Sequence, residues 1–265
     1  MMSSATSNLA DSLSDAVLNQ NDPETVRQGA PAYLLLVDGL ISDDPENVDL
    51  LLTGANLYSS YADAFVDDEE RAARLAEKAR DYGWRALCRS DRSACGSWSA
   101  PYDRFEAVIA GMNAKHVPVL FGSGAAWATW IRNNTDDWAA VADKARVDAM
   151  MQRVVELDEG YDDGAAHLYL GVLATLLPEA AGGKPEDGRR AFERAIELSG
   201  GRNLTAKVLL AESYARLIFD QELHDRLCRE VIEADPVAPG LTLANTLAQE
   251  RARTLLADSM DYFGD

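Results

Sequence analysis

The chain has 265 residues, of which 47% are hydrophobic and 26% are charged, so it is long enough to bury a sizeable core. Its formal net charge is -19 and its isoelectric point is near 4.5. Nucleic acid and anionic membrane surfaces are therefore excluded as expected partners, because phosphate binding needs clustered Lys and Arg. No apolar run has the length of a transmembrane span.

The first residues of the chain are small and polar. Ser3–Ser7 show neither the basic region nor the apolar core of a signal peptide. We expect residues 1–21 to form a flexible N-terminal tether, of the kind that begins a mature exported protein. Residues 22–265 are expected to form a single all-helical domain.

The rest of the chain predicts helices, because apolar residues recur three and four positions apart and no segment alternates with period two. Acidic residues, twice with proline, mark several of the starts. In chain order, helices are predicted to begin at Asp22-Pro23-Glu24, Asp44-Pro45-Glu46, Asp67–Glu70, Tyr102, Val117, Asp136-Asp137, Tyr161, Pro185, Asn203 or Thr205, near Glu222 and near Leu243. An irregular segment is predicted near residues 88–101.

The stretch Tyr161–Leu198 predicts a helical hairpin. Leucines recur at helical spacings around Gly171 in its first half, and an apolar stripe lies opposite a charged face in its second. Pro178 ends the first helix, and Gly182-Gly183 turn the chain. Because neither helix can bury its stripe alone, the pair is typical of a tetratricopeptide-like unit.

Three segments of the chain can be aligned as degenerate repeats. Asp49–Ala62, Ala166–Leu177 and Lys207–Ile218 place Gly54, Gly171 and Ala211 at the position where a small residue lets two helices approach. Stacked antiparallel hairpins of this kind form a superhelix whose concave face is the usual binding surface. A helical array without repeats is the alternative.

No set of residues predicts catalysis or a metal site. His116, His167 and His224 are far apart and form neither an HExxH pair nor a His-Cys cluster. Gly122-Ser123-Gly124 lacks the preceding strand of a nucleophile elbow. We therefore expect no enzymatic activity, no metal and no cofactor.

The three cysteines fall into two groups. Cys88 and Cys95 flank a short polar segment, and the sequence agrees with a disulfide between them as well as with two free thiols. Cys228 lies on an apolar helical face, which predicts a buried structural thiol.

Aromatic residues are the remaining candidates for function. The ordinary interpretation is that they fill the core, and the alternative is that several line a groove or cavity. Two features favour the alternative. Gly122 and Gly124 are expected to break the helix beside Phe121 and Trp127, and Asn56 and Lys207 are polar residues within apolar stripes.

Five segments of the chain carry a resemblance to a known family, namely LFGSGAAWATWI, RVVELDEGYDD, the hairpin with its continuation to Arg216, VIEADP and LANTLAQERARTLL. Together they resemble the T component of TRAP (tripartite ATP-independent periplasmic) transporters. The resemblance runs from about Asp22 to Leu256 and is densest after Phe121. It implies an all-helical periplasmic lipoprotein with tetratricopeptide-like repeats that forms trimers. It also implies a hydrophobic channel through each protomer, and no enzymatic activity.

The resemblance further implies a role as an accessory of the periplasmic solute-binding (P) subunit, with an apolar small molecule as ligand. The lipid-bearing N-terminal cysteine of the family is not in this sequence. From their chemistry and positions, we predict that the channel is lined by Phe121, Trp127, Trp130, His167, Tyr169, Lys207, Tyr214 and Asn56. The alternative function is a generic tetratricopeptide-like scaffold that binds a protein or peptide segment in its concave face.

Overall fold

The computed structural model of the chain describes residues 12–264. It is 76% helical with 13 helices, and no β-strand occurs among those residues. The predicted all-α fold is therefore confirmed, and the superhelix stays a prediction. None of the helices in this part of the chain combines the length and the apolarity needed to cross a membrane.

The chain divides into two compact units. The first comprises Arg27–Glu159, and the second comprises residues 12–26 with residues 160–264. The single domain expected over residues 22–265 stays a prediction. Of the expected tether, residues 1–11 lie outside the described part, whereas residues 12–18 are helical. Asn19 Oδ1, just after them, accepts a 2.8 Å hydrogen bond from the backbone N–H of Gly240.

Seven helices account for most of the first unit, together with a short 3₁₀ turn at Ala114–His116. They are α1 (Pro23–Asp43, of which Arg27–Asp43 belong to this unit), α2 (Val48–Phe65), α3 (Glu69–Ser90), α4 (Tyr102–Ala110), α5 (Val117–Arg132), α6 (Trp138–Ala142) and α7 (Lys144–Leu157).

The second unit contains six further helices. They are α8 (Ala165–Thr175), α9 (Pro185–Leu198), α10 (Leu204–Leu209), α11 (Gln221–Glu233), α12 (Thr242–Ala257) and α13 (Ser259–Phe263). Their core is built around Phe192, Tyr214, Leu227, Val231 and Leu255. Two buried amides of α12 add polar bonds inside this core. Asn245 accepts from the backbone N–H of Leu204, and Gln249 Nε2 donates to the carbonyl oxygen of Ala234 at 2.8 Å.

Side-chain caps mark the starts of α2 and α3. Asp68 accepts a 2.7 Å hydrogen bond from the backbone N–H of Arg71, which confirms the predicted start of α3. The predicted start at Asp44-Pro45-Glu46 is wrong by a few residues. Asn47 accepts from the backbone N–H groups of Asp49 and Leu50, so α2 begins at Val48.

Two further departures lie in the second unit. The predicted helix from Tyr161 begins only at Ala165, because Asp162 and Asp163 adopt left-handed backbone angles (φ 50° and 54°) in a 3₁₀ turn. Aspartate tolerates this conformation because its short side chain can bond locally. The predicted helix after Asn203 changes into a π-helical turn at Leu210–Ala215, which the apolar spacing did not indicate.

Helix α5 continues through Gly122 and Gly124, so the predicted break at these glycines is wrong. Both are positions of close helix contact. A Cβ added at Gly122 would lie 3.0 Å from Leu52 of α2, and one at Gly124 would lie 2.9 Å from Met151 of α7. The glycines are therefore explained by the approach of neighbouring helices.

Helices α3 and α5 also meet closely. A Cβ added at Gly83 would lie 3.0 Å from Ser123 Cα, and Ser123 Oγ donates a 2.6 Å hydrogen bond to the Gly83 carbonyl oxygen. This contact brings Trp84, the next residue of α3, to within 6.2 Å of Trp127, one turn further along α5.

The predicted small-residue positions are confirmed at Gly54 and Gly171. A Cβ at Gly54 would lie 2.7 Å from the Tyr82 ring and 2.8 Å from Ile41 Cδ1. A Cβ at Gly171 would lie 2.5 Å from the Phe192 ring. Each hairpin closes over its glycine with an aromatic ring from the partner helix.

A polar network joins helices α1, α2 and α3 near Gly54. Asp38 accepts hydrogen bonds from Tyr82 Oη at 2.7 Å, Tyr58 Oη at 2.8 Å and Lys78 Nζ at 2.5 Å. Burial opposes ionisation of this carboxyl, but the three donors together hold its pKa below the ordinary 3.8. Burial and the bond to the carboxylate raise the pKa of Tyr82 to about 12.

Gly54→Ala is expected to destabilise the first unit by about 1–3 kcal/mol, because the methyl group would displace the Tyr82 ring and Ile41. Gly39→Ala is the matched control, since nothing lies within 4 Å of an added Cβ there. That control should leave stability unchanged or raise it by about 0.5–1 kcal/mol, as expected for replacing glycine inside a helix. Urea unfolding followed by circular dichroism measures both. Equal effects of the two substitutions would contradict the close contact.

Asp38→Asn is expected to lower the free energy of unfolding by about 2 kcal/mol near neutral pH, because it weakens three bonds to a charged acceptor. The folded-state pKa of Asp38 is depressed, so its ionised form stabilises the fold above the unfolded pKa. That stabilisation is lost as pH falls through the folded pKa, below 3.8. The difference between wild type and variant should therefore narrow in acid.

Urea unfolding of both proteins from about pH 7 down to about pH 3 tests the linkage. Asp49→Asn, which removes an exposed carboxylate of α2, is the control for the loss of one negative charge. A constant difference between wild type and Asp38→Asn across this range would rule out the ionic role of Asp38.

Candidate functional site

Three tryptophans of the first unit are joined by ring contacts, and a fourth, Trp130, is linked to them through Arg80. Trp127, with 2% of its surface exposed, lies at the centre of this group. Its ring meets the edges of Trp84 at 6.2 Å and Phe105 at 5.8 Å, and Trp84 stacks on Trp98 at 5.7 Å between ring centroids. Trp98 is 39% exposed and Trp130 is half-buried. We call Trp84, Trp98, Trp127 and Trp130 the tryptophan cluster; it extends from the core to the surface.

A carboxylate closes the buried end of the cluster. Asp143 accepts hydrogen bonds from Trp127 Nε1 at 3.3 Å and from Arg146 Nε at 3.2 Å. Burial raises the pKa of the Asp143 carboxyl above its ordinary value, although the guanidinium of Arg146 acts in the opposite direction. Arg146 also lies over the Phe105 ring at 5.2 Å. The inner end of the cluster therefore has its polar atoms paired.

The outer end of the cluster contains an arginine. The guanidinium carbon of Arg80 lies 3.5 Å from the centroid of the Trp130 ring and 5.4 Å from that of Trp98. Burial lowers the pKa of this guanidinium, while carboxylates at longer range oppose the shift. Arg80 lies one helical turn before Trp84 on α3, so both side chains share one face.

The irregular segment predicted near residues 88–101 carries Trp98 to this arginine. Cys88, at the end of α3, and Cys95 form a disulfide. Arg146 Nη2 donates a 2.8 Å hydrogen bond to the Ala100 carbonyl oxygen and so ties the far end of the segment to α7. Trp98 is thus held on a loop that is fastened on both sides. Cys228 is a buried free thiol, as its helical face predicted.

The predicted channel residues are divided between the two units. In the first, Trp127 is buried, Phe121 and Trp130 are half-buried, and Asn56 is exposed with its Oδ1 beside Gly122. Of these, the structure brings Trp127 and Trp130 into the tryptophan cluster.

In the second unit, His167 is buried and Tyr169 is half-buried. Lys207 pairs with Glu230 at 2.8 Å, and the Tyr214 hydroxyl donates to Glu186. Both polar groups thus have partners within their own unit. The channel itself stays a prediction.

Sequence reasoning missed Arg80, Trp84 and Asp143. The spacing of Arg80 and Trp84 along one helical face was a usable signal, because residues four apart lie side by side on a helix. Asp143 gave no signal, since its partner Trp127 is sixteen residues away on another helix.

The second unit has a groove of about 330 Å³ at the turn between α8 and α9. Its lining combines apolar residues with charged ones, namely Pro178, Pro185, Leu217 and Ile218 with Glu179, Lys184, Glu186 and Asp187. No group of three or more His, Cys, Asp or Glu side chains that could hold a metal ion occurs within residues 12–264.

The fold and the cluster together define an all-helical protein of packed hairpins with a surface aromatic site. The family model of the TRAP transporter T-component matches residues 19–263, and the chain belongs to this family. Its role as a transporter component is a non-enzymatic one. A protein of Treponema pallidum (strain Nichols), described as an uncharacterized protein, is 25% identical over 269 residues, which cover 93% of this chain and 82% of the relative.

Proposed function

We propose that the chain is a non-catalytic periplasmic accessory of a TRAP-type transporter, which docks the solute-binding subunit and holds an apolar or amphipathic ligand. The observation that carries the ligand-binding part is the outer end of the tryptophan cluster. There Trp98, which is 39% exposed, and the half-buried Trp130 present indole surface to solvent. The chain belongs to a family of transporter components, for which an exposed aromatic surface suits ligand binding.

The geometry of the cluster supports this role. Small-molecule sites combine apolar and aromatic walls with a few polar groups that orient the ligand. Trp98 and Trp130 supply the walls, and Arg80 supplies the polar group between them. The disulfide and the bond to Ala100 hold the Trp98 loop in advance, which lowers the entropy cost of binding.

The remaining predicted features belong to the same proposal. The residues proposed to line a channel are Phe121, Asn56, Trp127 and Trp130 in the first unit, and His167, Tyr169, Lys207 and Tyr214 in the second. Homotrimers and a lipid anchor in the full-length precursor are proposed from the family resemblance.

A scaffold that grips a peptide segment is the second candidate function. The groove beside Leu217 and Ile218 favours it, because a lining of apolar and charged side chains suits an extended segment. The two candidates differ in the molecule that binds and in the unit that binds it.

Mass spectrometry of small molecules extracted from the purified protein tests the ligand. Trp130→Ala and Trp98→Ala should each retain about tenfold less ligand per protein, since a buried aromatic contact contributes about 1.5–3 kcal/mol. Trp138→Ala is the matched control, because Trp138 is 87% exposed. Circular dichroism establishes that each variant is folded. Equal ligand content in all three variants would refute binding at the cluster.

Surface plasmon resonance against the solute-binding subunit of the same transporter tests docking. If a basic face of that subunit meets this chain, whose net charge is -19, the association rate should fall as salt shortens the screening length to about 10 Å and below. A basic protein unrelated to transport is the control for non-specific attraction. Salt-independent binding would assign an apolar interface, and binding no stronger than that of the control would contradict docking.

A further inference from the structure

The guanidinium of Arg80 has aromatic neighbours but no hydrogen-bond acceptor among the described residues. Its guanidinium is covered by the Trp130 ring at 3.5 Å and lies 5.4 Å from the Trp98 centroid. Among the residues that the structure describes, none forms a hydrogen bond or an ion pair with it. Stacking occupies the faces of a guanidinium and leaves the N–H groups at its edge available.

The surroundings of Arg80 remove water without supplying an acceptor. Burial lowers the pKa of its guanidinium, which means that the charged form is partly desolvated. Glu77, Asp81 and Asp143 act on it electrostatically from longer range, but their carboxylates do not pair with it. In contrast, Arg146, at the other end of the same cluster, pairs with Asp143 at 3.2 Å and with the Ala100 carbonyl at 2.8 Å.

We infer that Arg80 is the anchor for the carboxylate of an amphipathic ligand whose apolar part lies against Trp98 and Trp130. A planar carboxylate can accept two parallel hydrogen bonds from the edge of a guanidinium. The bonds gain strength at a site that is partly desolvated, and the indole rings hold the guanidinium plane in one orientation. This inference rests on the proposed function and specifies its ligand class.

Two ligand sources share this chemistry, namely an alkyl carboxylate and an aryl carboxylate. Decanoate and 2-naphthoate serve as probes for the two sources. Decanol presents the alkyl chain without the charge, and acetate presents the charge without the chain. Isothermal titration calorimetry with the full chain compares all four.

Wild-type protein should bind decanoate or 2-naphthoate more tightly than decanol, and acetate only weakly. Arg80→Gln should weaken carboxylate binding by about tenfold to a hundredfold, as expected for loss of hydrogen bonds to a charged group. Its affinity for decanol should stay unchanged, which also shows that the variant is folded. Arg80→Lys should restore part of the affinity, because an ammonium keeps the charge but lacks the planar fork.

Arg71→Gln is the matched control. Arg71 is also an arginine of α3 over an aromatic ring, at 5.6 Å from the Tyr61 centroid, but it lies outside the tryptophan cluster. This variant should bind every probe as wild type does.

Unchanged carboxylate affinity in Arg80→Gln, or equal affinity of wild type for decanol and decanoate, would overturn the role of Arg80. If decanol binding is then still lost in Trp130→Ala, the ligand site of the proposed function stands without its anchor. Failure of every probe to bind wild type would count against both.

Discussion

The close approach of α3 and α5 at Gly83 and Ser123 is the constraint on which the first unit depends. With no side chain on Gly83, the two backbones come near enough for Ser123 Oγ to bond the Gly83 carbonyl at 2.6 Å. Two contacts follow from this approach on neighbouring turns. Trp84 meets Trp127, and Arg80 meets Trp130. One helix contact thus positions Arg80 and Trp84 against Trp130 and Trp127, whereas Trp98 is held by its own loop.

The polar groups of this acidic chain are used in two different ways. Asp38, which joins three helices, is fully paired with two phenols and an ammonium group. This arrangement avoids the cost of a buried unpaired charge. At the outer end of the tryptophan cluster, however, Arg80 has aromatic neighbours in place of an acceptor. The contrast distinguishes the structural network around Asp38 from Arg80, which we propose as a binding group.

Membership of the TRAP transporter T-component family and the aromatic site point in the same direction. An accessory without chemistry of its own needs surfaces that recognise other molecules. The first unit presents indole rings around a cation, and the second presents a groove lined by apolar and charged residues. We propose both as recognition features, and their different chemistry lets ligand binding and scaffold binding be tested separately.

The sequence by itself determined the all-helical class, the hairpin of α8 and α9 and the close contacts at Gly54 and Gly171, because helical periodicity and small-residue spacing are local properties. The sequence alone predicted helix breaks at Gly122 and Gly124, and this was wrong. A glycine that allows a neighbouring helix to approach cannot be distinguished, from the sequence alone, from a glycine that ends a helix. Only the tertiary structure decided that Arg80 faces Trp130, because the distance between two helices depends on packing across the whole unit. For the same reason, the ion pair between Lys207 and Glu230 was visible only in the tertiary structure.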